Sequence, residues 1–337
     1  MKKKRILILN HHGIGDVLIG FPACRWLCSK QQLDIWIAVK GLPEMELCKE
    51  ERLGSQFIVL RMSSKKQLLK NIVKLRQLKI DTVIGWWSYS RLKVAFFSYI
   101  IGAKNYYCPD FNKQDSYDRN TSHKYQKSLS VVEHFLGEPT PVNQDKDYLL
   151  DNIDTQIVKN VIGHYNYIVI FPGCGETEKF KRWPTREWAK FCILFSKEHP
   201  DHQVIIAGNI SDSIIAEEII NKVNFFDNNI IKNLCGKVSI SQIAGICKYA
   251  QFVIGGDNGG LHIANASGAK VIAIMGPTNS SLTGPINPTL IIDQKLPGTP
   301  WYSKSTLKKK LRNKKPDISM QIPAEIVIKE INKLNLG

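Results

Sequence analysis

Three stretches of this 337-residue chain set charged or polar side chains beside glycines at spacings suited to holding an anion. The longest is GGDNGGLHIANASGAKVIAIMGPT, residues 255–278, in which Asp257, Asn258 and His262 surround the pair Gly259-Gly260. Glycine has no Cβ, so a ligand can approach the backbone there, and the free N–H groups of a helix start attract phosphate. The second is Pro172-Gly173-Cys174-Gly175-Glu176-Thr177, trailed by Lys179, Lys181 and Arg182. Glycine turns and cations ahead of a helix suit a diphosphate. The third is His11-His12-Gly13-Ile14-Gly15-Asp16, where a carboxylate opens a helix. Each stretch also has an ordinary reading. Asp16 and Asp257 could cap or favour a helix start, for about 0.5–2 kcal/mol. His262 could be a satisfied polar residue, and the cations after Gly175 a solvated basic loop. His11 and His12 are assigned no chemistry, and Gly13-x-Gly15 is not a dinucleotide fingerprint because Leu18 occupies the third glycine position.

All three turns need a strand before them and a helix after them, and the hydrophobic pattern supplies both. Residues 6–9, 167–171 and 252–254 are compact apolar runs of the kind that form buried parallel strands. Helices are expected next: from Val17 to Leu27, irregular near Pro22, over 185–199 with Trp188, Phe191, Cys192 and Phe195 on one face, and over 261–267, closed by Gly268. More strands are expected at 34–39, 57–60, 82–86, 204–207 and 271–275, and helices at 44–51, 65–78, 214–223, 241–249 and 323–334. This βα alternation predicts an α/β fold of two Rossmann-like halves, each with a glycine turn after its first strand. Residues 137–147, with Pro139 and Pro141, are the linker candidate, and the acid pair Asp145-Lys146-Asp147 within it is read as solvated charge rather than a metal-holding DxD. Residues 106–127 read as a long polar loop of functional character. Trp86, Trp87, Tyr89, Phe96, Phe97 and Tyr99 cluster around an expected helix. Core packing is the default for such aromatics, with an acceptor or membrane contact as the alternative.

The composition, 43% apolar and 23% charged, is that of a globular protein long enough for two domains. Against 30 acids stand 46 Lys and Arg, a net charge of +16 that calls for an anionic partner or surface. Residues 55–80 hold Arg61, Lys65, Lys66, Lys70, Lys74, Arg76 and Lys79 without an acid, and residues 304–315 are similar. Solvated faces are the plain account; an anionic glycolipid or the headgroups of an inner membrane are the functional one. With no RNA-binding signature or zinc finger, nucleic acid ranks last. The eight scattered cysteines form no CxxC and read as buried thiols in a reducing compartment. The basic start lacks a signal-peptide core, and no apolar run approaches the roughly 20 residues of a membrane span. A cytoplasmic protein is expected, with peripheral contact to the inner membrane as a further option.

The motifs resemble glycosyltransferase family 9, the lipopolysaccharide heptosyltransferases. Asp257-Asn258-Gly259-Gly260-Leu261-His262, then Ala264, Ala266, Gly268 and Gly276-Pro277-Thr278, looks like the donor-binding signature of that family, with Asn258 where Thr or Ser is usual. Gly13-Ile14-Gly15-Asp16-Val17-Leu18 and Phe21-Pro22-Ala23 look like its amino-terminal motif, whose Asp is taken as the general base. Lys181-Arg182-Trp183-Pro184 resembles a segment whose Lys contacts the donor. The resemblance implies a GT-B architecture, two Rossmann-like domains facing a central cleft: an acceptor domain over 1–145, a nucleotide-sugar donor domain over 146–320, and a helix within 321–337 packing back on the first domain. It further implies an inverting, metal-independent glycosyltransferase without a cofactor, taking ADP-heptose and a lipopolysaccharide or lipid A core acceptor. Asp16 would be catalytic. Thr177, Lys181, Asp257, Asn258, Gly259, Gly260 and His262 would bind the donor, and Gly13, Gly15, Gly173 and Gly175 would form phosphate loops. The acid that holds the ribose stays open among Asp212, Glu217 and Glu218. A non-catalytic nucleotide-sugar or polyanion binder and a nucleotide-sugar epimerase on the same architecture are the alternatives.

Overall fold

The structure, a computed structural model, describes residues 3–10, 12–60, 65–86, 90–109, 122–163, 166–223, 231–294, 296–297, 299–300 and 317–334. His11, Arg61, Trp87, Tyr89 and residues 304–315 fall outside them, as do the side chains of Asp145 and Thr177. The chain divides into two units, Met1–Asn152 and Ile153–Gly337.

In the first unit the apolar run expected over 6–9 forms β1 (Lys4–Asn10), which pairs in parallel with β2 (Leu33–Val39) on one side and β4 (Thr82–Gly85) on the other. Ile6 stands opposite both Ile35 and Thr82. Strands β3 (Gln56–Val59) and β5 (Asn105–Tyr107) complete the order β3-β2-β1-β4-β5. The continuous apolar sequence of β1 follows from its central place, covered on both faces. The helix expected from Val17 to Leu27 is two helices, α1 (Ile14–Ile19) and α2 (Phe21–Cys28), parted at Gly20. Pro22 lies in the first turn of α2, where its missing N–H has no helical acceptor to lose. Then come α3 (Leu42–Glu50), α4 (Lys65–Gln77), α5 (Arg91–Ile101), α6 (Lys124–Leu136) and the short α7 (Gln144–Asp147).

This unit ends at Asn152 rather than at residue 145 because a half-buried cation and a buried acid clasp its last residues. Arg25 of α2 donates to the carbonyls of Asp147 and Leu149 at 2.7 and 2.6 Å and pairs with Glu51 at 2.7 Å. Glu51, 4% exposed, accepts the N–H groups of Asp151 and Asn152.

The second unit repeats the plan with β6 (Asn166–Phe171), α8 (Thr185–Glu198), β7 (His202–Ile206), α9 (Ser213–Val223), β8 (Ile231–Asn233), α10 (Ile240–Tyr249), β9 (Val253–Gly255), α11 (Gly259–Ala266), β10 (Val271–Met275), α12 (Ser280–Thr283) and β11 (Leu290–Asp293). Its sheet runs β11-β10-β9-β6-β7-β8, all pairings parallel. The core joins Trp183, Trp188, Phe191 and Phe195 to Ile170, Ile254 and Ile274. The carboxy-terminal helix Ala324–Asn332 belongs to this unit. It packs on α8, with Val327, Ile328 and Ile331 entering this core. Trp183 Nε1 donates to the Ile322 carbonyl at 2.8 Å and Glu187 accepts the Ala324 N–H at 3.0 Å.

In both sheets the connections run one way from the first strand (β1 or β6) and then return to its other side, leaving a switch point at β1/β4 and at β6/β9. Loops beyond the carboxyl ends of strands at such a point form the usual ligand crevice of this topology.

Candidate functional site

The first turn leaves β1 at Asn10 and enters α1 at the β1/β4 switch point. Gly13, not Asp16, is the N-cap residue of α1, and it makes no side-chain cap bond. Asp16 therefore keeps its carboxylate for other partners. Lys124 Nζ donates to Asp16 Oδ1 at 2.6 Å, and His12 Nδ1 lies 3.9 Å from Oδ2. About a quarter of the Asp16 side chain is exposed, so a substrate hydroxyl can reach it. Lys124 is fixed because it opens α6 inside a capping box. His123 accepts the Tyr125 N–H at 3.1 Å and Gln126 accepts the His123 N–H at 3.2 Å. The sequence reading left Lys124 in a polar loop and gave His12 no role; Gln126 three residues after His123 was the available signal of a helix start. A Cβ on Gly13 would meet nothing within 4 Å, so the fold leaves room beside it. Gly15 is buried within α1.

The other two stretches meet at the β6/β9 switch point. After β6, residues 172–175 lead into a 3₁₀ turn, Glu176–Lys181, and Arg182-Trp183-Pro184 then start α8. Lys179 pairs with Glu176, and Arg182 with Glu176 and the Cys174 carbonyl. Lys181 is the buried cation of the three, 8% exposed, with Nζ 3.1 Å from Asp257 Oδ2 and 3.3 Å from Glu178 Oε1. His262, 4% exposed, places Nε2 3.9 Å from Asp257 Oδ1, and its Nδ1 is buried without a hydrogen-bond partner among the described residues. Lys181, Asp257 and His262 are thus brought together at one corner.

Asn258 stitches that corner shut. As N-cap of α11 it accepts the Leu261 N–H at 2.9 Å, while its Nδ2 donates to the carbonyls of Phe171 at 3.1 Å and Gly173 at 2.8 Å. Its side-chain groups are spent on the protein, so it shapes the corner through the backbone. Asn, Ser and Thr all serve as N-caps, which accounts for Asn258 where a hydroxyl residue is usual. The N–H groups of Gly259 and Gly260 open the helix and have no acceptor within it. At Gly260 the space of a side chain is already filled: a Cβ would stand 2.2 Å from the Phe171 ring. A Cβ on Gly173 would likewise stand 2.0 Å from Asp212 Oδ1. These two glycines answer to packing inside the fold, whereas Gly175 is exposed.

Asp212 is the acid the corner singles out. Glu217 accepts from Asn233 at 2.8 Å and Glu218 from Thr185 at 2.6 Å, and both bonds lie toward solvent. Asp212 is 4% exposed; its Oδ2 accepts the Asn209 N–H at 3.0 Å, and its Oδ1 is buried with no partner among the described residues. Burial holds its carboxyl above the usual carboxylate range. Among the described residues no group of three or more His, Cys, Asp or Glu is placed to hold a metal ion. Asp147 of the DxD accepts the Asn143 N–H at 2.7 Å.

Residues 74–314, more than half of the chain, match the model of glycosyltransferase family 9 (heptosyltransferase). The chain belongs to this family. The matched residues include Lys124, Lys181 and the Asp257–His262 corner and begin beyond Asp16. As a family 9 member the protein is a glycosyltransferase. It is 26% identical over 276 residues to lipooligosaccharide heptosyltransferase 2 of Campylobacter jejuni, covering 81% of each chain. Its fold is similar to a family 9 glycosyltransferase of Veillonella parvula, with a TM-score of 0.76 at 18% identity over 100% of this chain and 98% of that one. It is also similar to the Escherichia coli heptosyltransferase WaaC solved with ADP-2-deoxy-2-fluoro heptose, with a TM-score of 0.67 at 17% identity over 98% and 99%. These likenesses, with the two parallel sheets, place the fold in the GT-B class.

Proposed function

We propose that this glycosyltransferase moves a heptosyl group from ADP-heptose to a lipopolysaccharide core acceptor, inverting the anomeric carbon and using no metal ion. The observation that carries the reading is the buried Lys181, held by Asp257 beside the capped start of α11 at the β6/β9 switch point. A family member solved with an ADP-heptose analogue supports the donor.

The second unit binds the donor. The diphosphate lies at the α11 start, where the Gly259 and Gly260 N–H groups and the helix dipole attract it. Lys181 exchanges part of its pairing with Asp257 and Glu178 for the phosphate oxygens. His262 Nδ1 and Asp257 orient the sugar or its phosphate. A ribose hydroxyl donating to Asp212 Oδ1 would satisfy a buried acceptor that has no partner among the described residues. The first unit supplies the base. Asp16, oriented by Lys124, accepts the proton of the acceptor hydroxyl as that oxygen bonds to the anomeric carbon. The bond from that carbon to the β-phosphate oxygen breaks, and its electron pair leaves on ADP. Attack from the face opposite the leaving group inverts the centre. Lys181 and the backbone donors take up the charge that grows on ADP, a contribution of about 10²–10³ in rate per donor group.

Calorimetric titration of wild type and Lys181→Ala with ADP, UDP, GDP and CMP, without added metal, tests the donor half. ADP is expected to bind best and to weaken in the variant. Preference for UDP or GDP contradicts the ADP assignment, and undiminished binding by Lys181→Ala contradicts the role of the corner.

A further inference from the structure

Helices α4 and α5 of the first unit pack side by side, with Arg76 Nε donating to the Ile100 carbonyl at 2.8 Å. Their inner faces are those of an ordinary α/β layer: Leu75, Val94 and Ile101 are buried in the core beside β1 and β4. Their outer faces are not. On α5, Leu92, Phe96 and Tyr99 recur four and three residues apart and are 83%, 66% and 80% exposed. On α4, Leu69 and Val73 are 63% and 50% exposed. The default of core packing thus holds for Trp86, which is fully buried, and fails for Phe96 and Tyr99. A layer helix normally turns polar residues to water, and a group of large exposed apolar side chains marks an interaction surface. Around these stripes stand the exposed cations Lys66, Lys70, Lys74, Arg76, Arg91 and Lys93, and neither helix contains an acid.

We propose that this face of α4 and α5 docks the protein on an anionic bilayer, with Leu92, Phe96, Tyr99, Leu69 and Val73 seated among the headgroups and the cations on lipid phosphates. Apolar stripes flanked by cations are the pattern of helices that lie in a membrane interface. Tyr99 has the amphipathic ring that suits that depth. Charge selects the occupant, because a second copy of the same face would set cations against cations. Among the described residues no helix is long and apolar enough to cross a membrane, so the contact is peripheral. The position also has a use. β4 neighbours β1, so the amino end of α5 and the Asp16 turn emerge at the same edge of the sheet. A glycolipid acceptor anchored in that bilayer would be presented to this edge. The purpose of docking rests on the proposed acceptor; docking itself is read without turnover.

Co-sedimentation with phosphatidylcholine vesicles, with and without phosphatidylglycerol, tests the surface. Wild type is expected to sediment with the anionic vesicles and far less with neutral ones. Leu92→Ser/Phe96→Ser/Tyr99→Ser is expected to fall to background. Lys70→Gln/Lys74→Gln, which leaves the apolar stripes intact, is expected to weaken partitioning roughly thirtyfold at low salt. Far-ultraviolet circular dichroism and thermal melts matching wild type confirm that both variants are folded. Absence of wild-type binding to anionic vesicles overturns the proposal, as does full binding by the triple variant. A wild-type dimer that the triple variant converts to monomer would assign the face to a second copy instead. Transfer to a lipid-free core oligosaccharide, measured alongside, separates failure of docking from failure of the transfer reading.

Discussion

Asp16 and Lys124 are separated by 108 residues, and Lys181 and Asp257 by 76. Each aspartate in these pairs lay in a legible motif, because glycine before a carboxylate at a strand end is a local pattern. What it touches was not legible, since only the sheet order brings the partners together. Lys124 shows this most plainly: with no glycine beside it, it carried no signal until α6 placed its ammonium on Asp16. Asp212 is the converse, a candidate among three that burial alone singles out. Its carboxyl is raised in the folded state by desolvation, so the native state favours the protonated form. The stability tied to this group is present at low pH and lost as pH rises through the ordinary carboxylate range toward the raised value. Asp212→Asn cannot ionise. Its melting temperature relative to wild type is expected to climb from pH 4 to pH 8 while its affinity for ADP falls. A difference that stays flat across that range contradicts the assignment of the buried charge.

The elements that position these residues were legible where they are central. β1, β6 and β10 are unbroken apolar runs because helices cover both their faces, and α8 shows its inner face as Trp188, Phe191 and Phe195. The edge strands β5, β8 and β11 are only three or four residues long and partly exposed, so they leave no such run. The start of α11 was legible as a glycine turn, but the reasons for its residues lay in the fold: Asn258 ties α11 to the end of β6, and Gly260 makes room for Phe171. Asn258→Ala removes the cap and two carbonyl partners at once. It is expected to cost roughly 2–4 kcal/mol in denaturant unfolding. Asn258→Thr, which restores only the cap oxygen, is expected to recover part of that loss. A cost below about 0.5 kcal/mol for the Ala variant would mean that Asn258 does not hold the corner.

At the scale of the molecule, two sheets of the same topology each present one switch point, and the proposed chemistry assigns a carboxylate to the first unit and a cation and a helix start to the second. The division into two α/β units was legible from the repeated pattern of strand, glycine turn and helix. Its boundary was not, because the Pro-rich stretch that reads as a linker is followed by residues held to the first unit by Arg25 and Glu51. Part of the excess positive charge is located on α4 and α5, though the sequence could not say which apolar residues share that surface. The central claim is that family 9 chemistry runs here from ADP-heptose through Asp16. The most direct measurement is release of ADP from ADP-heptose in EDTA, with and without a heptose-deficient lipopolysaccharide core, by wild type and Asp16→Asn. Acceptor-dependent release that EDTA leaves untouched, and that falls about 10²–10⁴-fold in the variant, is the expected result. Release that ignores the acceptor, that stops in EDTA, or that persists in Asp16→Asn would contradict it.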